Sequence, residues 1–444
     1  LRPGSIVVDM QRMNRILRID TDNLNILVEP GVTWAQIHAA LADSEFAIPF
    51  LGTFSGIRAT VGGGLGNWAV GWGKGDVAEY LLGIEVVLGD ARLLRTGALA
   101  TNFEHPGLTC FGPELTRLFV HDAGAFGIKT AACFRLERKP GGTAYASWGF
   151  NTDDEALAFM QQVTREGSAT DCFAFGAYHH GVFMAQPPPP AGEMRALLRR
   201  VIRNSGSIPA AIRNLWTLLR SGRLGFLARW NYSVHVAVDG ASEAAAHAAM
   251  QPLRRLARRC GAASLPGGFL IAVRARPFGP IDDLIVGREG ESCFPSNCTV
   301  SLAQGMEVKR ALDRFFTEQR EFMRTHGLTH TQIYLAVRNV FGIEPIIYWK
   351  DSMNPLRRSI LNPERRARFA DMAEDRSARD AAVTLRGRMV REVFSQFRPT
   401  HVQVGKYYPF RERLEGTPAW DMLQGIKNLV DPQHLLNPGA LGLE

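Results

Sequence analysis

The sequence predicts an α+β protein with more than one domain. At 444 residues the chain is long enough for two or three separate hydrophobic cores. Residues 1–140 alternate short runs rich in Val, Ile and Leu with turns, which is typical of strands covered on both faces. Residues 141–394 instead alternate helical and strand-like segments. A charged stop with proline and glycine at residues 138–142 separates the two patterns.

The individual elements follow from hydrophobic period and from helix start signals. The first region has strand patterns at residues 5–8, 25–29, 83–88 and 128–137, and a helical stretch at 34–42. In the second region, three acidic residues from Asp153 to Glu155 begin a helix that runs to about residue 165, because acidic side chains are favourable near a helix N-terminus. The remaining predicted strands are 172–183, 233–238, 332–337 and 343–349, and the remaining helices are 241–260 and 307–326.

A glycine-rich segment at residues 53–76 constrains function more tightly than any other part of the chain. It reads TFSGIRATVGGGLGNWAVGWGKGD. Glycine lacks a Cβ, so it lets backbone N–H groups approach another molecule closely. The hydroxyls of Ser55 and Thr60 and the amide of Asn67 could bind polar ligand atoms. A tight double turn or a bulge would also use such glycines.

Several motifs in order resemble a known family. They lie at residues 7–17, 27–33, 53–76, 82–90, 112–119, 122–130 and 430–439. Taken together, they resemble the FAD-binding domain shared by vanillyl-alcohol oxidase, 4-cresol dehydrogenase and the D-2-hydroxyacid dehydrogenases. The similarity covers residues 1–140 and 395–444 well.

The resemblance implies a domain organisation. Residues 1–140 would form a p-cresol methylhydroxylase-type FAD-binding domain, residues 141–394 an α+β cap (substrate) domain, and residues 395–444 a segment that returns to the FAD domain. The chain opens at the threshold of a strand, whereas the family carries an earlier lobe that wraps the FAD pyrophosphate. We therefore expect the FAD domain to be incomplete at its N-terminus, and favour a fragment over a naturally shortened protein.

The resemblance also implies where FAD binds. The flavin would lie against the segment from Ser55 to Asn67, against the backbone near residues 127–128, and near a C-terminal asparagine. The predicted cofactor-binding residues are Ser55, Gly56, Thr60, Gly62, Gly63, Gly64, Asn67, Gly127, Ile128 and Asn437.

Residues 397–409 carry the densest group of hydrogen-bonding side chains. If residues 400–404 form a strand, His401 and Gln403 share one face. The sequence at 397–401 resembles the Tyr-Arg-Thr-His stretch that binds the substrate phenolate in the vanillyl-alcohol and cresol branch, with Phe397 in place of Tyr and Pro399 inserted. The predicted catalytic residues are Arg398, His401, Lys406 and Tyr408.

A second candidate lies on the strand at residues 343–349. Glu344 and Tyr348 are four positions apart, so they share one strand face and can line a pocket. A buried edge strand explains the same pattern.

No metal site is predicted. The His-x-x-Asp-Gly-Asn-x-His type of stretch of the D-2-hydroxyacid branch has no counterpart here. His179 and His180 are adjacent, so their rings diverge on either a helix or a strand. Among the six cysteines the closest pair is Cys293 and Cys298, a spacing that is poor for zinc.

These observations predict an FAD-dependent oxidase or dehydrogenase. It would take a hydride from the CH–OH or benzylic carbon of a small phenolic or aryl alcohol and pass the electrons to oxygen, a cytochrome or a quinone. One alternative is a dehydrogenase for D-lactate, glycolate or a related hydroxyacid, with Arg398 or Lys406 pairing the carboxylate. Another is a non-catalytic fragment that holds no flavin.

Charge and composition limit the partners. The formal net charge of +8 favours anionic partners, for which flavin phosphates or a carboxylate substrate suffice. The basic residues are dispersed and no nucleic-acid-binding motif is present, so nucleic acid is not an expected partner. A cytoplasmic location is expected, and a homodimer is compatible with the chain.

An arginine-rich stretch stands apart. Residues 195–229 contain eight arginines and no acidic residue, interleaved with leucines and Trp216. One interpretation is a helix at a membrane surface that contacts a membrane electron acceptor. The other, which the composition favours, is a cap helix whose arginine stems cover apolar surface.

Overall fold

The computed structural model divides the chain into two units of different architecture. The first unit contains residues 1–139 and 402–444, and the second contains residues 140–401. The structure describes residues 4–110, 112–184, 190–222, 225–279, 286–361 and 363–443. Both units mix helices with antiparallel sheets, which confirms the predicted α+β class.

Among the described residues of the first unit, five strands form the main sheet in the order β1-β2-β8-β6-β7. The central strands are almost entirely apolar and buried, as their Val- and Ile-rich sequences predict. Two short strand pairs, β3 with β9 and β4 with β5, lie beside this sheet. The strands are β1 Ile16–Asp20, β2 Asn25–Val28, β3 Phe46–Ala47, β4 Phe50–Gly52, β5 Trp72–Gly73, β6 Leu81–Val87, β7 Leu93–Arg95, β8 Ile128–Arg135 and β9 Glu137–Arg138.

Short helices connect these strands. Helix α1 (Trp34–Ala40) begins with a capping box in which Thr33 and Gln36 satisfy each other's backbone N–H groups. The other helices of the unit are α2 Val61–Gly66, α3 Gly97–Thr101 and, in the C-terminal segment, α16 Arg411–Leu414 and α17 Pro418–Val430. Helix α17 begins at the N-cap Thr417 with proline in its first turn.

The strand predicted at residues 5–8 is wrong. These residues are exposed, with Ile6 at 89% of its full accessible surface, and they pair with no strand in the described part of the chain. Apolar, β-branched composition favours a strand only where a neighbouring strand satisfies its backbone and covers its side chains.

The second unit is built on a larger antiparallel sheet. Its described strands follow the order β13-β10-β12-β11-β16-β17-β14, and β15 also pairs with β17. The strands are β10 Gly142–Phe150, β11 Asp171–Gly176, β12 Tyr232–Gly240, β13 Ala263–Leu265, β14 Ser292–Pro295, β15 Cys298–Ser301, β16 Thr329–Val337 and β17 Val340–Trp349.

Helices cover both faces of this sheet. On one face Phe159 of helix α4 packs against Trp148 and Phe150. On the opposite face Phe269 of helix α9 packs against Phe175 and His235. The helices of the unit are α4 Asp153–Glu166, α5 Ala177–Met184, α6 Ala191–Arg203, α7 Ile208–Ser221, α8 Glu243–Arg259, α9 Gly268–Ala275, α10 Gly305–Glu318, α11 Arg320–Thr325, α12 Pro355–Ile360, α13 Pro363–Arg368, α14 Arg376–Met389 and α15 Ser395–Phe397.

Two predicted elements of this unit are corrected. The strand predicted at 172–183 ends at Gly176 and continues as helix α5, because a short apolar run has no period that separates strand from helix. The helix predicted at 307–326 is divided at Gln319, whose ψ of 5° leaves the helical region. No helix in the described ranges is long and apolar enough to cross a membrane.

Candidate functional site

The glycine-rich segment folds as a turn followed by the short helix α2. Thr60 is the N-cap of this helix, and its hydroxyl accepts a hydrogen bond from the Gly63 N–H at 3.2 Å. The N–H groups of Val61, Gly62 and Gly64 donate to the carbonyls of Val32, Pro30 and Thr60. The backbone N–H groups in the first turn of α2 are therefore all hydrogen-bonded within the protein.

The glycines of α2 serve two different purposes. A Cβ on Gly62 would lie 2.8 Å from Pro30 Cβ, and one on Gly64 would lie 3.1 Å from the Trp34 ring, so both positions are glycine because of internal packing. A Cβ on Gly63 would meet only Thr60 Oγ1 at 3.4 Å, and one on Gly66 would meet nothing within 4 Å. Gly63 and Gly66 thus border open space.

The turn before α2 offers unused backbone donors. The Gly56 N–H donates to Thr53, but the N–H groups of Ser55 and Ile57 make no hydrogen bond with any described residue. The Ser55 hydroxyl lies 3.3 Å from the Thr53 hydroxyl, and the Asn67 side-chain amide donates to the Gly63 carbonyl.

The other predicted cofactor residues have structural roles in the first unit. A Cβ on Gly127 would lie 2.1 Å from Val86 Cγ1, so this glycine allows β6 and β8 to approach. Ile128 begins β8 opposite Val87. Asn437 has a φ of 37° and donates its side-chain amide to the Ala123 carbonyl at 2.6 Å. Cofactor contacts for these three residues stay a prediction.

A flavin site fits the residues from 55 to 67 in chemistry and in space. Free backbone N–H groups in a turn can bind carbonyl or phosphate oxygens, as turn and helix termini do elsewhere. The open edge at Gly63 and Gly66 leaves room for a flat group beside them. The sequence pointed to the Ser55 hydroxyl rather than to the backbone N–H groups of the turn, and it did not separate the packing glycines from the open ones.

The predicted catalytic segment is shared between the two units. Arg398 and His401 belong to the second unit, whereas Lys406 and Tyr408 belong to the first. Residues 400–404 do not form the strand on which the pairing of His401 with Gln403 depended. Thr400 makes one isolated bridge to Thr299 and the chain then turns, so His401 is buried and Gln403 is exposed.

The side chains of this segment differ in environment. Arg398 is exposed in a left-handed conformation with a φ of 46°. His401 Nδ1 lies 2.6 Å from the carbonyl oxygen of Asn297. Lys406 is exposed, and Tyr408 is buried with its ring 5.3 Å from that of Tyr407. Their catalytic roles stay a prediction.

Strand β17 brings Glu344 close to the segment that holds His401. Cys298 pairs with Ile343 and Pro295 pairs with Ile346, a common register that places Asn297 opposite Glu344. Asn297 also supplies the carbonyl that binds His401. Sequence reasoning named both Glu344 and His401 but could not show that Asn297 lies next to each.

The Glu344 carboxyl is unpartnered within the described part of the chain. It makes no hydrogen bond or ion pair with any described residue, and it keeps part of its surface accessible. Burial raises the pKa of this carboxyl to about 7, because a carboxylate loses hydration there without a compensating donor. A carboxyl of this kind can accept a proton near neutral pH.

Aromatic and apolar side chains surround Glu344 on the same sheet face. Its cross-strand neighbour is Ile333, and the next residue across the sheet is Phe175. Tyr348 lies further along β17, and its buried phenol is hydrogen-bonded to Tyr178, with the ring centres 5.0 Å apart. Burial raises the pKa of both phenols, which keeps them protonated as donors.

A chain of buried polar residues, the His180–Ser147 chain, crosses the same face. The Ser233 hydroxyl lies 2.8 Å from His180 Nε2 and 2.9 Å from His235 Nε2. His235 Nδ1 lies 2.8 Å from the Ser147 hydroxyl. Burial lowers the pKa of His235 to about 3, so its ring is neutral. Sequence reasoning missed this chain, because Ser147, Ser233 and His235 are far from one another or lack a motif.

His179 and His180 diverge as predicted for adjacent residues. His180 binds Ser233 and the Trp230 carbonyl, whereas His179 packs against Phe175 and Tyr178. Among the residues that the structure describes, no group of three or more His, Cys, Asp and Glu side chains could hold a metal ion.

Comparison with known proteins identifies a domain within the first unit. Residues 2–97 match the family described as an FAD binding domain. The glycolate oxidase subunit GlcD of Bacillus subtilis is 35% identical over 142 residues, which are 31% of this chain and 28% of that protein. The 4-cresol dehydrogenase flavoprotein subunit of Pseudomonas putida is 31% identical over 148 residues, 31% of this chain and 27% of that protein. The chain thus spans less than a third of the length of either relative.

The fold extends the likeness to nearly the whole chain. The structure of 4-ethylphenol oxidase from Gulosibacter chungangensis matches with a TM-score of 0.68 and 17% identity, and covers 97% of this chain and 79% of that chain. This likeness confirms the predicted fold class. Residues 2–97 therefore match an FAD binding domain, and the chain as a whole has the fold of this flavin-type oxidase structure.

Proposed function

We propose that the protein is an FAD-dependent oxidoreductase that takes a hydride from the CH–OH or benzylic carbon of a small phenolic or aryl alcohol. The observation that carries this proposal is the unpartnered carboxyl of Glu344 among aromatic side chains, with a pKa of about 7. An enzyme with bound flavin needs one group that accepts the proton of the substrate hydroxyl. Glu344 suits this role because its pKa is near neutral and its carboxyl oxygens accept no hydrogen bond from a described residue.

The bound FAD would supply the hydride acceptor, held by the turn and glycine edge at residues 55–67. The protein residues would bind the substrate and accept its proton. Glu344, as a carboxylate, would accept and hold the proton of the substrate hydroxyl. Burial keeps the phenols of Tyr178 and Tyr348 protonated, and the two phenols are hydrogen-bonded to each other. The expected final electron acceptor is oxygen, a cytochrome or a quinone.

The surroundings of Glu344 support an uncharged aromatic substrate. The side chains of Phe173, Phe175 and Ile333 on this sheet face are apolar, and each keeps less than 5% of its accessible surface. Arg274 is close to the same face, but its guanidinium is committed to Asp171 at 2.6 Å and to Asp239 at 3.3 Å. Such apolar surroundings favour an uncharged substrate, whereas a carboxylate would need a cation there.

A specific observation favours a hydroxyacid as the second candidate. Arg357 donates one Nη to the Cys293 carbonyl at 3.0 Å, while its other Nη is buried without a hydrogen-bond partner. Cys293 is paired with Tyr348, so this guanidinium lies near the edge of the same region. A D-2-hydroxyacid could place its carboxylate on Arg357 as a charge-assisted pair.

Anaerobic reduction of the flavin separates these functions. The protein is loaded with FAD and mixed with vanillyl alcohol, with a 4-alkylphenol, or with D-lactate or glycolate, and loss of the visible flavin absorption is followed. We expect bleaching by the aryl substrates. Bleaching by hydroxyacids alone would assign the second candidate. A protein that shows no flavin spectrum after FAD addition and removal of unbound FAD would be non-catalytic.

Variants connect the reaction to the site. Glu344→Gln should slow bleaching by the true substrate, while Glu289→Gln, which removes an exposed carboxyl paired with Lys350, should not. Arg357→Met should abolish bleaching by a hydroxyacid and spare an aryl alcohol. If Glu344→Gln bleaches at the wild-type rate, the base lies elsewhere, and the segment from Arg398 to Tyr408 becomes the next site to test.

A further inference from the structure

Helix α7 (Ile208–Ser221) exposes a stripe of large apolar side chains. Ile208, Ile212, Trp216 and Leu219 keep 78%, 64%, 62% and 67% of their accessible surface. A soluble protein exposes single apolar residues often, but a contiguous row on one helix marks an interaction surface.

The geometry of the helix confirms that these residues form one row. With 3.6 residues per turn, the four side chains fall within about 80° of the helix circumference. The opposite side is buried through Ala210, Ala211 and Asn214. Leu215 and Leu218 pack against a small core with Val201, Ile271 and Ala275. The helix is therefore anchored on one side and has an uncovered apolar row on the other.

Exposed arginines lie on α7 and on the neighbouring helix α6. Residues 194–229 contain no acidic side chain. Arg220 projects from α7 beside the row, and Arg195, Arg199 and Arg200 project from the neighbouring helix α6. These four arginines are exposed and make no ion pair with any described residue. Their charges are thus available to an anionic surface.

We propose that helix α7 docks the protein on the surface of an anionic phospholipid bilayer. The apolar row would enter the boundary between headgroups and acyl chains, with Trp216 at the interface, and the arginines would pair with lipid phosphates. The row excludes the interpretation in which arginine stems cover the apolar surface, because Ile208, Ile212 and Leu219 remain uncovered.

Charge argues against a second copy of this chain as the occupant. In a two-fold contact the same patch meets itself, so Arg220 and the arginines of α6 would face their own equivalents. Such like-charge contacts across a buried patch are unfavourable. A lipid surface instead supplies the opposite charge along the whole helix.

Vesicle co-sedimentation tests the proposal on the full chain. We expect binding to vesicles of equal parts phosphatidylglycerol and phosphatidylcholine, and at least about tenfold weaker binding to phosphatidylcholine alone, because the arginines lose their partners. Ile212→Ser with Trp216→Ser should lower the partition coefficient on anionic vesicles by about tenfold or more.

A matched double variant controls for general loss of apolar surface. Met422→Ser with Leu429→Ser removes side chains that are equally exposed, at 68% and 67%, on helix α17, and should bind as the wild type does. Thermal melting verifies that both double variants fold. Absence of wild-type binding to anionic vesicles overturns the proposal, as does unchanged binding of the α7 variant. A dimer seen by analytical ultracentrifugation, lost in the α7 variant and without vesicle binding, would assign the row to self-association instead.

Discussion

Lys427 and Asp431 form a buried ion pair one helical turn apart at the C-terminal end of α17. Their side chains keep 1% and 0% of their accessible surface. The Lys427 ammonium also donates to the carbonyls of Ala125 and Leu436, both at 2.9 Å. Asp431 accepts from the N–H groups of Leu435 and Leu436. The pair therefore ties the C-terminal segment to the loop before β8 within the first unit.

Removing one member of this pair should destabilise the protein strongly. Lys427→Met leaves the Asp431 charge buried without its counter-ion, which costs about 3–5 kcal/mol. Adding Asp431→Leu should recover part of that loss, since no buried charge remains. The control is Lys350→Met, which breaks an exposed pair with Glu289 and should cost less than about 1 kcal/mol. Urea denaturation measures all four proteins.

The same pair predicts an acid dependence of stability. Burial alone raises the pKa of Asp431, but hydrogen bonds from Lys427, Leu436 and Leu435 outweigh it, so the pKa lies below its usual value. The group stabilises the folded state above the unfolded pKa of about 3.9, and that contribution is lost as the pH falls through the lower folded value. Asp431→Asn should flatten the acid limb of the stability profile.

Strong apolar patterns allowed most of the strands to be predicted. β2, β6, β12 and β17 lie within a few residues of their predicted bounds, because buried central strands show continuous Val- and Ile-rich runs. The prediction of a strand at residues 5–8 was wrong because these residues pair with no described strand, and a single sequence does not show which strands pair.

The candidate site could be predicted only in part. Period-two alternation correctly placed Glu344 and Tyr348 on one face of β17. The proximity of His401 to this strand depends on the bridge between Thr299 and Thr400, which joins residues far apart in sequence. Burial of Lys427 was also hidden, since a lysine on an amphipathic helix is normally exposed.

Glu344 predicts a pH dependence of activity. Its pKa is raised to about 7 by burial, so the carboxylate that accepts a proton forms as the pH rises through that value. The rate of flavin reduction should therefore increase toward alkaline pH and level off above about pH 7. Glu344→Gln should lower the rate by about 10²–10⁴ and remove this limb.

The same substitution should stabilise the protein at alkaline pH. An unfolded glutamate ionises near pH 4.3, whereas folded Glu344 stays protonated to about 7, so native stability falls as the pH rises between these values. Glu344→Gln avoids this loss and should melt above the wild type at pH 8. A lower melting temperature for the variant at that pH would contradict the burial of the carboxyl.

Substitutions at two glycines of α2 should affect folding and flavin binding differently. Gly62→Val forces a side chain against Pro30 and should cost about 1–3 kcal/mol of stability. Gly63→Val enters open space, so the fold should persist while FAD binding weakens by at least about tenfold, or about 1.4 kcal/mol. Gly425→Val on helix α17, where a Cβ would meet nothing within 4 Å, is the control, and titration with FAD compares the three variants. Equal FAD affinity of Gly63→Val and wild type would remove Gly63 from the flavin site.

The His180–Ser147 chain should make the second unit sensitive to mild acid. Ser233→Ala leaves ring nitrogens of His180 and His235 without a partner and should cost about 1–3 kcal/mol. The Ser168 hydroxyl is buried without a hydrogen bond, so Ser168→Ala is a matched control that should be neutral. Denaturation midpoints in urea distinguish the two.

Protonation acts on this chain with a definite sign. Burial lowers the pKa of His235 to about 3, whereas an unfolded histidine takes up its proton near pH 6.5. The stability contributed by neutral His235 is therefore fully present above about pH 6.5 and is lost progressively as the pH falls toward 3. Wild-type midpoints that stay constant from pH 7.5 to 5 would show that these rings are not buried as neutral groups.

Arg398 offers the sharpest test of the predicted catalytic segment. Its φ of 46° is a conformation that glycine adopts more easily, so Arg398→Gly removes the guanidinium and relieves backbone strain together. We expect unchanged or higher thermal stability, unchanged flavin content, and a turnover lower by about 10²–10³, the usual effect of losing one donor to a developing oxyanion. Arg338→Gly is the matched control, because Arg338 is also exposed with a φ of 54° in the turn between β16 and β17. Its turnover should equal that of the wild type. If both variants turn over at the wild-type rate, Arg398 does not bind the substrate oxygen, and the base at Glu344 acts without it.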